Sequence, residues 1–144
     1  MKRLMRKSSD FTNTNKILPS KKQTLYHTTS LQSWLQIKED GYLIPQGSEG
    51  AGINYNDPTE EELTYFQDMV FFSTSMGEAK KYGSYFEKPY VILECEIPQS
   101  KLLPDKSDCE ECETWQESME KTEQVAVRGK ININYITKVY IMGK

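Results

Sequence analysis

Residues 70–83 read VFFSTSMGEAKKYG, and the change of pattern inside them decides the fold class. Residues 70–74 are apolar and rich in β-formers, with two adjacent phenylalanines, as a buried strand requires. From Met76 onward the spacing is helical instead, with Ala79, Tyr82 and Phe86 three and four residues apart. A strand is therefore expected to run directly into a helix over 76–86. The same order occurs upstream. TLYHT (24–28) reads as a short strand, and Ser30 is a natural N-cap for a helix over Leu31–Asp40, whose Leu31, Trp34 and Leu35 share one face. Gly41 is the residue expected to end that helix.

Working outward, PYVILECEI (89–97), EQVAV (123–127) and KVYIM (138–142) are predicted strands, and KININYI (130–136) is a further strand or an extended connection. Residues 45–69 hold three glycines and two prolines and read as a long loop, with one helical turn near 58–66. The acidic stretch 104–121 is mostly polar, with a helical turn around 115–119. There is no internal repeat. Two helices near the front and five or six strands, several of them non-adjacent, make this an α+β protein.

The chain has 144 residues, 37% hydrophobic and 27% charged, which fits one folded domain over 23–144 with a core of its own. No apolar run approaches a membrane span, and the start lacks the apolar segment of a secretory signal, so a cytosolic protein without membrane contact is expected. The net charge of −3 conceals an asymmetry. Residues 1–22 contain Lys2, Arg3, Arg6, Lys7, Lys16, Lys21 and Lys22 against the single acid Asp10, so a basic arm precedes an acidic body. Such an arm is compatible with a nucleic-acid partner and equally with a solvated terminus. Cys95, Cys109 and Cys112 are too few, with one distant His, for a four-ligand metal site, and their odd number implies no disulfide framework. Free thiols and no metal are the expectation.

Three segments carry the chemistry: Leu25-Tyr26-His27-Thr28-Thr29, then 70–83, then TEQVAVRGKININYI (122–136). Taken in order, they resemble the ADP-ribosyltransferase superfamily, specifically the histidine–tyrosine–glutamate branch that holds diphtheria toxin and the poly(ADP-ribose) polymerases. That branch has an L-Y-H-[GT]-[ST] strand and a helix. An apolar aromatic strand follows, then S-x-x-x-A-x-x-Y, and a late strand opens with the catalytic glutamate. Tyr26-His27-Thr28 is similar to the first element; Phe71, Phe72 and Ser73 with Ser75, Ala79 and Tyr82 to the second; Glu123 with the strand after it to the third. The resemblance covers roughly residues 24–142 and is closest to small bacterial or phage members, which are toxin-like effectors.

The resemblance implies two small antiparallel sheets forming an NAD cleft with flanking helices. It implies cleavage of the nicotinamide–ribose bond and transfer of ADP-ribose to a macromolecule, protein, DNA or RNA; a cognate inhibitor could accompany such an effector. Breaking that bond builds positive charge on the ribose, as in glycoside hydrolysis, and a carboxylate beside the sugar binds that charge more strongly than it binds neutral sugar. By resemblance Glu123 is that carboxylate, with Glu120 the fallback. Tyr82 would stack on nicotinamide, and His27 would bond the adenosine ribose. The backbone at Thr28 would hold the carboxamide. Phe71, Phe72, Ser73, Ser75 and Ala79 would line the site. Phe71 stands where the family has a second tyrosine, so any role needing that hydroxyl is lost.

Ser73-Thr74-Ser75 is similar to an element of the arginine-type branch, but the arginine and second acid of that branch are missing: only Arg3, Arg6 and Arg128 occur, and Lys121 stands two before Glu123. The same shortage of arginines argues against the related RNA 2′-phosphotransferases. Gly47, Gly50 and Gly52 are not followed by Gly-Lys-Ser/Thr, so no P-loop is present and a mobile loop over the cleft is the expectation. Two alternatives stay open beside the transferase: an NAD glycohydrolase, and a relative of the fold that binds a nucleotide or partner without turnover.

Overall fold

TLYHTT (24–29) combines apolar, aromatic and β-branched side chains, which suit a pleated, half-buried surface. In the computed structural model, which describes residues 21–45 and 68–144, it forms the middle of strand β1 (Lys22–Ser30). β1 runs antiparallel to β4 (Tyr90–Pro98), from Lys22 opposite Pro98 to Ser30 opposite Tyr90. Beyond β4 lies β8 (Ile136–Met142). On the other side of β1 come β3 (Met69–Ser73), β6 (Gln124–Arg128) and β5 (Leu102–Pro104), giving a six-stranded sheet of order β5-β6-β3-β1-β4-β8. Every pairing is antiparallel. Strands β2 (Tyr42–Leu43) and β7 (Ile131–Asn132) make a separate two-stranded ribbon. The chain is α+β, as its sequence predicts.

The sheet is unevenly knit. β3 runs against β6 along its whole length, from Met69 opposite Arg128 to Ser73 opposite Gln124. By contrast, β1 meets β3 at one opposed pair, Tyr26 and Ser73. Two sheets are present, as expected, but the second is only the β2-β7 ribbon, and the six-stranded sheet has two halves, β5-β6-β3 and β1-β4-β8, that join at a narrow neck.

Side chains alternate across each strand, so the two faces carry different cores. Leu25, Phe72, Val91, Leu93 and Val125 are buried on one face, packed with Ile37, Trp34, Trp115 and Met119. The last four come from helices α1 (Leu31–Asp40) and α3 (Trp115–Thr122). Each large apolar side chain enclosed there contributes about 1.5–3 kcal/mol. On the opposite face Ala79, Tyr90 and Ile92 gather Tyr26, Met76 and Phe86 under helix α2 (Met76–Lys81). Helix α1 has the predicted ends: the Ser30 hydroxyl accepts the Ser33 N–H at 3.0 Å, and Gly41, at φ +83°, returns its N–H to the Ile37 carbonyl.

Four expectations are corrected. The helix over 76–86 stops at Lys81 and tightens into a 3₁₀ turn, Tyr82–Tyr85, in which Gly83 lies so close under the Tyr90 ring that a Cβ there would strike it. The turn expected around 115–119 is a two-turn helix closed by a reciprocal capping box, in which Thr114 bonds the Glu117 N–H and Glu117 reaches back to the Thr114 N–H. Residues 130–136 are divided between β7, a 3₁₀ turn and the start of β8. Cys109 and Cys112 are joined by a disulfide rather than free: the Cys112 N–H bonds the Cys109 carbonyl, and that turn brings their Cα atoms to 5.5 Å, a span a disulfide bridges. Cys95 is the free thiol, buried and pushed up to about 12 by that burial. Of the basic arm over 1–22, residues 1–20 lie outside the described residues, and Lys22 already opens β1; of the loop over 45–69, residues 46–67 lie outside them, and Met69 opens β3. Among the described residues no helix is long and apolar enough to cross a membrane.

Candidate active site

The neck between β1 and β3 is where the three sequence segments approach one another. Opposed residues of an antiparallel ladder share a face. Gln124, Ser73, Tyr26 and Glu94 therefore form one row across four strands. The Gln124 amide donates to the Ser73 hydroxyl at 3.0 Å within that row. Past Tyr26 and Ser73 the two strands have no further opposed pair, and side chains span the space. The His27 ring, half-buried and tilted against Phe72 at 5.7 Å between centroids, donates from Nδ1 to the Phe71 carbonyl at 2.8 Å. A carbonyl can only accept, so the proton sits on Nδ1 and Nε2 keeps a lone pair. Burial lowers the His27 pKa, only partly countered by that bond, so the ring is neutral at physiological pH. A neutral imidazole with Nε2 as acceptor can take a hydroxyl proton into a hydrogen bond.

On the opposite face of β1 the Thr28 hydroxyl donates to the Ala79 carbonyl at 2.7 Å, tying β1 to α2. That bond fixes the helix whose end carries Tyr82. The phenol is half-buried, pushed up to about 12 by burial and then by the negative charges of Asp108, Asp105 and Glu78. It is a hydrogen-bond donor at neutral pH and not a base. Its ring lies 6.0 Å from that of Tyr85, which is 76% exposed.

Glu123 does not open β6, as the sequence suggested; it caps α3 in the left-handed conformation, at φ 57° and ψ 29°. It is the one non-glycine residue with positive φ among those described. Glycine is the usual occupant of this position, and a larger residue there costs about 1 kcal/mol or more. Its carbonyl accepts the Thr74 N–H at 2.9 Å, and its exposed carboxylate accepts the Ser75 hydroxyl at 3.4 Å. Ser75 is also the N-cap of α2. The Lys81 ammonium, bonded to Glu78 at 3.0 Å, also feels the Glu123 charge. The carboxylate therefore faces the helix that carries Tyr82.

The predicted site residues thus divide. Glu123 and Ser75 are bonded to each other at the start of α2, and Tyr82 stands at the far end of that helix. His27 stands on the other face of β1, connected to them through β3. Thr28 and Phe71 flank the neck. Phe72, Ser73 and Ala79 are nearly or fully buried, at 1%, 4% and 0% exposure, and support the walls from behind. Sequence reasoning missed Gln124, whose amide holds Ser73, and Lys81 beside Glu123. Among the described residues no group of three or more His, Cys, Asp or Glu is placed to hold a metal ion. No model of a known protein family matches the chain, and no curated protein matches it either.

Proposed function

We propose that the chain transfers ADP-ribose from NAD to a macromolecular acceptor, releasing nicotinamide. One observation carries the reading: His27 bonds the Phe71 carbonyl on β3, Glu123 bonds Thr74 and Ser75 directly after β3, and Thr28 ties the helix that leads to Tyr82 to β1, so three segments distant in sequence gather beside the neck of a sheet that is nearly two. That neck suits the cleft that the ADP-ribosyltransferase resemblance implies. A dinucleotide lodged there would meet groups from both faces of β1. Nε2 of His27 would accept from a ribose hydroxyl, Tyr82 would offer its ring and a phenolic proton, and Glu123 would lie beside the ribose that becomes positive as nicotinamide departs. Ser75 orients that carboxylate, and the fixed turn at Glu123 keeps it from drifting.

The test is incubation of pure protein with NAD labelled in the adenylate, alone and with a host lysate, treated afterwards with protease and nuclease in separate arms. Nicotinamide release with label on protein or nucleic acid is the expected result. Free ADP-ribose alone would make the chain a glycohydrolase, and no nicotinamide release would refute the proposal. Tyr82→Ala is expected to weaken NAD binding by about 1–2 kcal/mol through lost stacking and burial, measured by calorimetry; unchanged affinity would move the nicotinamide elsewhere.

A further inference from the structure

We propose that Ser118 is a positioning residue that sets the placement of Glu123 relative to Tyr82; the inference rests on the transferase reading for its catalytic consequence and on the structure for its mechanical one. Ser118 lies inside α3, a largely polar helix, yet is 0% exposed. Its hydroxyl donates to the Gln124 carbonyl at 2.6 Å and accepts the Asp105 N–H at 2.9 Å. One oxygen thus ties the residue after Glu123 to the loop that follows β5.

Both ends of that tie bear on the site. On the first side, the Ser118 carbonyl accepts the Thr122 hydroxyl at 2.7 Å, and Thr122 Oγ1 in turn accepts the Gln124 N–H at 3.2 Å. Glu123 is thereby enclosed between two residues that Ser118 holds, one before it and one after. Its own N–H bonds the Met119 carbonyl at 3.0 Å. A left-handed glutamate persists only where its surroundings over-determine it, and these bonds are the surroundings. On the second side, the Asp105 carbonyl accepts the N–H groups of Asp108 and Cys109, so the Ser118 bond also seats the loop whose Asp105 and Asp108 charges act on Tyr82. The hydroxyl therefore joins the mount of the carboxylate to the wall facing the phenol, without reaching the site surface itself.

Ser118→Ala removes one atom and leaves the Gln124 carbonyl and the Asp105 N–H without this partner. With Glu123 free to shift by about an ångström, kcat for nicotinamide release should fall about 100-fold, while KM for NAD stays within about threefold. Ser118→Thr, which keeps the hydroxyl, should recover most of kcat. Val91→Ala, a buried change on β4, serves as a control for lost stability and should keep kcat at temperatures where it is folded. Independently of NAD, the Glu123 and Thr74 amides should exchange with solvent faster in Ser118→Ala than in the parent. Retention of kcat by folded Ser118→Ala would overturn the positioning role while leaving the transferase reading intact. If the parent released no nicotinamide, that reading would fail, and amide exchange would decide the positioning role alone: unchanged exchange at both amides overturns it.

Discussion

Glu123→Gln is expected to bind NAD within a few-fold of the parent and to lose about 10²–10³-fold in nicotinamide release, the scale of removing one group aimed at developing charge. The substitution is nearly isosteric. Glutamine keeps an Oε1 to accept the Ser75 hydroxyl, and the backbone bonds from Thr74 and to Met119 are untouched. The left-handed turn should therefore survive, and the loss is one of charge, not of shape. Because Glu123 is exposed, removing its charge leaves no buried group unpaired, and thermal stability should hardly change. The measurements are calorimetric NAD affinity, nicotinamide release by chromatography and the melting temperature. Full activity in Glu123→Gln would remove the carboxylate from the mechanism. Glu120, one turn earlier on α3 and also exposed, would be the next acid to replace.

The parts of this fold that were legible in the sequence are those governed by local rules. Helix α1 has its predicted ends because Ser30 and Gly41 are adjacent, self-contained signals. Strands β1, β3 and β4 follow from β-branched and aromatic residues bounded by breakers. The capping box at Thr114 and Glu117 was equally local and announced a full helix where only a turn was expected. What stayed hidden depends on residues far apart. Nothing in Lys-Thr-Glu-Gln says that the glutamate must be left-handed: no glycine marks the place, and the conformation is held by Met119, Thr74 and the bonds of Ser118. The neck between β1 and β3 is a relation between strands and leaves no trace in either. The need for glycine at 83 depends on Tyr90 lying over it, seven residues on and in strand β4. Pairing of Cys109 with Cys112 needed the turn geometry, since three cysteines leave the partner undetermined.

Asp105→Asn is expected to stabilise the protein at pH 8 by up to about 3 kcal/mol and to leave it unchanged near pH 3. Asp105 is 4% exposed, and burial raises its pKa from 3.8 to about 6, against the opposing effect of Ser107, whose N–H and hydroxyl both donate to Oδ1, and of the Asp108 N–H. The sign follows from the direction. The folded chain keeps this proton to higher pH than the unfolded chain does. Below 3.8 both states are protonated and the carboxyl costs nothing electrostatically. As pH rises through about 6 that advantage is lost, and above it the folded state bears a buried anion. A shift of about two units corresponds to about 3 kcal/mol, or roughly 10 °C in melting temperature for a domain of this size. Asparagine retains an Oδ1 for Ser107 and the backbone N–H for Ser118, so the loop keeps its seat. His27, whose depressed pKa makes stability fall as pH drops, acts equally in parent and variant and cancels in their difference. A difference in melting temperature that stays constant from pH 3 to pH 8 would show that Asp105 is not the titrating group. The Asp105 charge also reaches Tyr82, where, after burial, the charges of Asp108, Asp105 and Glu78 push the phenol's pKa further up. In Asp105→Asn that phenol should therefore titrate lower than in the parent, even as the fold becomes harder to melt.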